Sequence, residues 1–137
     1  MLIREMSFSD FENVFSLWQR TEGLGLSGVD THEGIHKFLM RNPGLSFICE
    51  EKGKLVGTIL CGHDGRRGYI YHLAVDEAYR KQGIGKQLTE QSLNALRQEG
   101  IAKCHLFVYR DNETAQGFYK LSGWQQRTTL DIFSKDI

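Results

Sequence analysis

No two cysteines in this chain stand in a C-x-x-C spacing, and their total, three, is odd. Cys49, Cys61 and Cys104 each lie in an apolar, strand-like stretch. Buried free thiols in a reducing compartment are the expectation, rather than a disulfide framework or a catalytic thiol. The chain also lacks an apolar run of membrane-spanning length, and its first residues show no signal-peptide pattern. No membrane partner and a cytoplasmic location are therefore expected. Neither sign of charge dominates, since seventeen Lys and Arg side chains balance seventeen Asp and Glu. That balance argues against a general polyanion-binding surface, so nucleic acid is not an expected partner. There are no repeats, linkers or low-complexity tracts. The 137 residues read as one domain, 1–137, long enough to bury its own core.

Against this neutral background Arg66, Arg67, Arg80, Lys81 and Lys86 form a local basic cluster. Three of them belong to the run Arg80, Lys81, Gln82, Gly83, Ile84, Gly85, Lys86. An apolar strand-like stretch, Tyr69 to Val75, precedes the run, and a long amphipathic stretch, Gly85 to Glu99, follows it. A tight glycine turn between a strand and a helix exposes backbone N–H groups that have no helical acceptor. The helix dipole adds partial positive charge at the same point, which makes an anion site. Gly83 and Gly85 permit unusual dihedrals and close approach of a phosphate. An ordinary strand-to-helix turn with a solvated basic rim fits the same residues. Two better-known phosphate loops do not. A dinucleotide fingerprint needs glycine where Leu88 stands, and a P-loop needs glycine at Arg80 and Ser or Thr at Gln87.

The rest of the chain can be read from period and punctuation. Leu2–Arg4 is a short strand, and Ser7 or Ser9 caps a helix to about Arg20 whose apolar face holds Phe11, Val14, Phe15 and Trp18. Gly23, Gly25 and Gly28 break the chain into a loop. Asp30 or Thr31 starts a second helix that ends near Asn42 and Pro43. Leu45–Glu51 and Leu55–Cys61 form a hairpin about Lys52-Gly53, and Gly100 stops the long helix. A strand from Lys103 to Val108, a helix capped by Asn112 and ended at Gly123, and a last hairpin of Trp124–Gln126 with Leu130–Ser134 complete the order β-α-α-β-β-β-α-β-α-β-β.

The R-x-x-G-x-G turn resembles the coenzyme A pyrophosphate loop of the GNAT N-acetyltransferase superfamily. A second segment strengthens the likeness: after the Lys103–Val108 strand, Asn112, Ala115, Phe118, Tyr119, Gly123 and Trp124 fall at that family's spacings. The likeness covers roughly residues 45–124. It implies an α/β fold with a twisted, mostly antiparallel mixed sheet and helices on both faces. It also implies acetyl-CoA as acetyl donor and an amine as acceptor, without a metal. By the same resemblance, Arg80 to Lys86 would hold the pyrophosphate, chiefly through the backbone N–H groups of Gln82, Gly83, Ile84, Gly85 and Lys86. Leu73, Ala74 and Val75 would bind the pantetheine arm by their backbone, much as an added strand would. A backbone N–H of Leu73 or Val75 would polarise the thioester, Asn112 would bind the pantetheine arm, and Tyr119 would protonate the leaving thiolate. Relatives of this kind commonly dimerise, so a homodimer is carried as an expectation. Asn112 also reads as a plain helix N-cap, and Tyr119 as a core aromatic with a wet hydroxyl.

The family's usual acidic bases are missing. Their positions hold Tyr69 and Phe107. His72 is the candidate base, because imidazole is the side chain type suited to proton exchange near neutral pH. Strict alternation sets His72 with Ile70 and Ala74, opposite Tyr69, Tyr71 and Leu73. Either a β-bulge re-aims it or water carries the proton past Tyr71. A coenzyme A-binding sensor without turnover is the alternative that the missing acid leaves open. His32, Glu33 and His36 spell H-E-x-x-H, a zinc-peptidase pattern, with His63 available as a further ligand. Gly34 weakens that helix, and Leu39 and Asn42 break the extended form of the pattern. The Glu22–Asp30 loop, Tyr69, Tyr71 and the last hairpin are expected to shape the acceptor pocket.

Overall fold

The computed structural model describes residues 1–137, which divide into two compact units, Met1–Phe107 and Val108–Ile137. In the first unit β1 (Leu2–Glu5) leads through a single 3-10 turn (Phe8–Asp10) into α1 (Phe11–Gln19). Then come α2 (His32–Arg41), β2 (Phe47–Glu51), β3 (Lys54–His63) and β4 (Gly68–Val75). A second 3-10 turn (Glu77–Tyr79), α3 (Ile84–Gln98) and β5 (Cys104–Leu106) follow. The strands form one five-stranded sheet in the order β1-β2-β3-β4-β5. Its first four strands pair antiparallel, and β5 joins β4 in parallel. This is the expected mixed, mostly antiparallel sheet. No helix is long and apolar enough to cross a membrane.

Local chemistry explains the boundaries. Thr31, not Asp30, caps α2, its hydroxyl accepting the Gly34 N–H at 3.0 Å. Lys52 and Gly53 both have positive φ, 51° and 77°, the geometry of a two-residue hairpin turn. On one face of the sheet Val14, Leu17 and Trp18 of α1 and Ile35 of α2 bury against Ile48, Leu60 and Ala74. On the other face α3 lies close to the strands because two glycines make room. A Cβ at Gly57 would stand 3.0 Å from both Ile84 Cγ2 and Leu88 Cδ1, and one at Gly68 would stand 2.6 Å from Leu96 Cδ1. Cys49 and Cys61 are buried and Cys104 half-buried, all three as free thiols. Burial pushes Cys61 up to about 12 and Cys104 to about 11.

The second unit holds α4 (Glu113–Leu121), ended by Gly123 at φ 88°. The expected last hairpin does not form. Residues after Trp124 adopt no strand, and Leu130, Ile132 and Phe133 are exposed. Between the two expected strands stand Arg127, Thr128 and Thr129. None is the Gly, Asn or Asp that a tight hairpin turn favours, so pairing has no nucleus. The order therefore closes after α4, two strands short of the expectation.

Because α3 touches the sheet through its missing side chains, Gly57→Val should destabilise the fold by about 1–3 kcal/mol, as overpacking does. Urea unfolding measures this. A midpoint equal to wild type would show that α3 has room to spare at Gly57.

Candidate active site

The site begins with a fault in β4. Leu60 of β3 pairs with Tyr71, but Thr58 pairs with Ala74, so β4 carries one extra residue between those pairs. His72 sits in this bulge with φ 49°, a left-handed conformation costly for a non-glycine residue. Two hydrogen bonds of the buried Thr58 hydroxyl hold it. The Trp18 indole N–H donates to Thr58 Oγ1 at 2.9 Å, and that hydroxyl donates to the His72 carbonyl at 3.1 Å. The extra residue breaks the alternation read from the sequence. The His72 imidazole lies against the Trp18 ring, centroids 4.7 Å apart, on the α1–α2 face rather than opposite Tyr71. Its Nε2 bonds Asp30 Oδ1 at 2.8 Å.

Beyond the bulge β4 has an open edge. Pairing with β5 runs from Gly68 to Ile70 and stops. Leu73, Ala74 and Val75 thus have β3 on one side and no strand on the other, and a chain-like ligand can add there by main-chain hydrogen bonds. Asp76 anchors the exit from the strand, accepting the Ala78 N–H at 3.0 Å and pairing with Arg20 at 3.0 Å and Lys54 at 3.5 Å.

The glycine turn follows directly. Arg80 Nε donates to the Val75 carbonyl at 3.1 Å, which ties the turn to the end of the strand. Lys81 and Gly83 both have positive φ, 62° and 82°, and Gly83 is the N-cap of α3. The first helical bond is Gln87 N–H to Gly83 O at 3.0 Å, and the N–H groups from Lys81 to Lys86 have no acceptor. A Cβ at Gly83 would meet nothing nearer than Gln87 Nε2 at 3.8 Å. Open space, free donors, the helix dipole and the exposed Arg80, Lys81 and Lys86 side chains coincide here, which suits a phosphate.

An aromatic row crosses the same sheet face. Phe38 meets Tyr71 at 6.1 Å, Tyr71 stacks with Tyr69 at 6.5 Å, and Tyr69 stacks with Phe107 at 6.3 Å. Beside it opens a cavity of about 300 Å³ lined by Phe38, Arg41, Asn42, His63, Asp64, Tyr69 and Tyr71. Tyr69 and Tyr71 are thus where a pocket was expected. The Glu22–Asp30 loop reaches β4 through Asp30, and the absent hairpin contributes no strand.

In the second unit Asn112 caps α4, its Oδ1 accepting the Ala115 N–H at 3.1 Å. Its amide nitrogen has no protein partner, so capping leaves that donor free. The Tyr119 ring packs edge-on to Phe118 and Trp124, at 5.2 and 5.8 Å. Burial pushes its hydroxyl up to about 12, so it stays protonated at neutral pH. The hydroxyl makes no hydrogen bond, yet no unpartnered buried polar atom is sealed from solvent, so it is wet.

His32 and His36 belong to an aromatic cluster. Phe8 lies 4.4 Å from the first ring and 4.3 Å from the second, and Phe11 lies 4.8 Å from His32. His63 bonds Glu99 at 2.8 Å instead of joining them. The sequence reading missed Asp30, Thr58 and the site role of Trp18. Asp30 was absorbed as a candidate cap and Trp18 as a core residue. The nearest signal was a carboxylate left over once Thr31 took the cap.

The sequence model of the acetyltransferase (GNAT) family matches residues 11–124. An acetyltransferase of Photorhabdus laumondii is 38% identical over 138 residues, spanning 100% of this chain and 96% of the relative. Among solved structures, Ard1 of Thermoplasma volcanium is 28% identical with a TM-score of 0.79, over 89% of this chain and 80% of that one. The PaiA N-acetyltransferase of Thermoplasma acidophilum, solved with coenzyme A, shares the fold at 20% identity and a TM-score of 0.77, over 88% and 86% of the two chains. A match of this extent, on a chain whose bulged strand opens toward a free N–H turn, shows that the protein belongs to the GNAT acetyltransferase family.

Proposed function

We propose that the protein is an acetyl-CoA-dependent N-acetyltransferase, acting in the cytoplasm as a single domain over residues 1–137. Its acceptor is a primary amine of a small molecule, peptide or protein. The observation that carries this reading is the continuity of an open β4 edge with a turn of unpaired N–H groups, joined by the Arg80–Val75 hydrogen bond. An elongated donor with amide groups at one end and phosphates at the other matches that order. The coenzyme A bound to PaiA supports the donor's identity.

In this mechanism the N–H groups of Gln82 to Lys86 bind the pyrophosphate, with Arg80, Lys81 and Lys86 adding charge around it. The backbone of Leu73, Ala74 and Val75 holds the pantetheine amides. One N–H of Leu73 or Val75 donates to the thioester oxygen as negative charge develops there, where a preorganised donor acts most strongly. Asn112 binds the pantetheine arm through its free amide nitrogen. Tyr119 delivers a proton to the departing sulfur, a role consistent with a hydroxyl that is protonated and wet. His72 accepts the proton from the amine.

Acetyl-CoA should raise the melting temperature of the protein. At about 100 times Kd the linked stabilisation is about 2.7 kcal/mol. Gly83→Val should abolish that shift while the protein still folds, because its side chain would occupy the open space and strain a left-handed position. No shift in the wild type would overturn the donor. A shift without release of the coenzyme A thiol in the presence of any amine would identify a binding module instead of an enzyme.

Tyr119→Phe keeps the ring against Phe118 and Trp124 and removes only the hydroxyl. It should lower kcat by about 10²–10⁴-fold with acetyl-CoA affinity unchanged. A loss under about threefold in steady-state assays would leave Tyr119 a packing residue, since general-acid effects are normally far larger.

A further inference from the structure

The His72 imidazole is not a lone base. Asp30 is 7% exposed, and its carboxylate is fixed on both oxygens. Oδ2 accepts the Ser27 N–H at 2.9 Å, and Oδ1 bonds His72 Nε2 at 2.8 Å. A carboxylate only accepts, so Nε2 carries the hydrogen and the neutral ring keeps its lone pair on Nδ1. No protein group bonds Nδ1. Because no unpartnered buried polar atom is sealed from solvent, Nδ1 is open to the surface. The Trp18 ring at 4.7 Å and the Thr58 bond to the His72 carbonyl oppose rotation of the ring and slippage of the bulge. The elements packed on the imidazole are thus α1 through Trp18, β3 through Thr58, and the loop before α2 through Asp30. Asp30 is the one titratable group they bring to it.

We propose that Asp30 is a positioning residue for proton transfer: it fixes His72 as the Nε2–H tautomer and stabilises the imidazolium, leaving Nδ1 to take the proton of the acceptor amine. A carboxylate that orients a histidine from behind while the far nitrogen works is a general solution for making imidazole a base. It also explains how the chain manages with Tyr69 and Phe107 where an acid was expected. The inference rests on the acetyltransferase reading. In the step, the amine nitrogen forms a bond to the thioester carbon and its proton passes to Nδ1. The C–S bond breaks with its electron pair on sulfur, which is protonated from solvent through Tyr119. The imidazolium returns its proton to solvent, so one thioester and one amine give one amide and one thiol. Because Asp30 ends the Glu22–Asp30 loop, the same bond holds the acceptor side of the site to β4.

The test joins a spectrum that needs no acceptor to a rate that does. In protein labelled with ¹⁵N-histidine, long-range ¹H–¹⁵N spectra separate tautomers, and His72→Gln assigns the His72 signals. Wild type should show the Nε2–H form. Asp30→Asn should reduce that form, because an amide that turns its NH2 group to the ring donates to Nε2 instead of accepting from it. The signals of His32, His36, His63 and His105 report whether the variant is folded, and Asp30→Glu should restore part of the wild-type behaviour. With acetyl-CoA and a panel of primary amines (a polyamine, an amino acid, a peptide with a free N-terminus), His72→Gln should abolish the ascending limb of kcat/KM, and Asp30→Asn should slow the reaction. The plateau should fall at least tenfold at unchanged acetyl-CoA affinity. A folded Asp30→Asn variant with the wild-type tautomer overturns the proposal. So does active wild type whose limb survives in His72→Gln. A wild type that binds no acetyl-CoA and acetylates none of the amines overturns the acetyltransferase reading itself, a result distinct from either.

Discussion

One buried hydroxyl, that of Thr58, stands between the Trp18 indole and the His72 carbonyl, and the site depends on the two hydrogen bonds it makes. Together with the Asp30 bond to His72, they favour an extra residue in β4. A left-handed non-glycine residue costs about 1–3 kcal/mol, and each buried hydrogen bond returns about 1 kcal/mol. The bulge is therefore balanced by a few specific contacts rather than carried by the sheet as a whole. Its effect is larger than its energy. With it, the His72 ring packs on Trp18 and bonds Asp30. The extra residue brings it to the face where Trp18 and Asp30 await it. The same irregularity precedes Leu73, Ala74 and Val75, the stretch that runs without a neighbour on its outer edge.

The glycine turn, proposed to bind phosphate, is built on a different principle. The chain as a whole is neutral, so attraction for a polyphosphate would have to be local. Unpaired backbone donors would supply it at contact, and they neither titrate nor move far. Arg80, Lys81 and Lys86 extend the field outward, where salt screens it beyond about 8–10 Å. The geometry of the turn is held from below. Ile84 and Leu88 are buried against the vacancy at Gly57, and Arg80 is bonded to Val75, so the N-terminus of α3 and the end of β4 keep a common position.

The helices, the five strands and their order were legible because each has a local cause. Thr31 caps α2, Gly53 turns the β2–β3 hairpin, and Gly83 starts α3. The glycine turn with its free N–H groups was equally legible, since it lies in consecutive residues. Features created by pairing register could be raised but not decided: a bulge at His72 stood as one of two alternatives. The bulge exists only because Leu60 pairs with Tyr71 and Thr58 with Ala74, a relation between two strands that neither segment records. Asp30 was hidden for the same reason, lying 42 residues from the histidine it bonds. The last hairpin failed in the opposite sense. Its alternating apolar residues, Leu130 and Ile132, satisfy a strand pattern that no turn or partner supports.

The three thiols acquire a meaning from the product of the proposed reaction. Every turnover would set free another thiol, coenzyme A, within reach of the protein surface. An exposed, acidic cysteine there would be trapped as a mixed disulfide whenever the surroundings turned oxidising. Cys61 is buried with its thiol pushed up to about 12, Cys49 is buried with its thiol raised as well, and Cys104 is pushed to about 11. None offers an appreciable thiolate at neutral pH. The chain is accordingly built to stay inert toward its own by-product, and a colorimetric thiol reagent added to the folded protein would count coenzyme A with little background from the polypeptide.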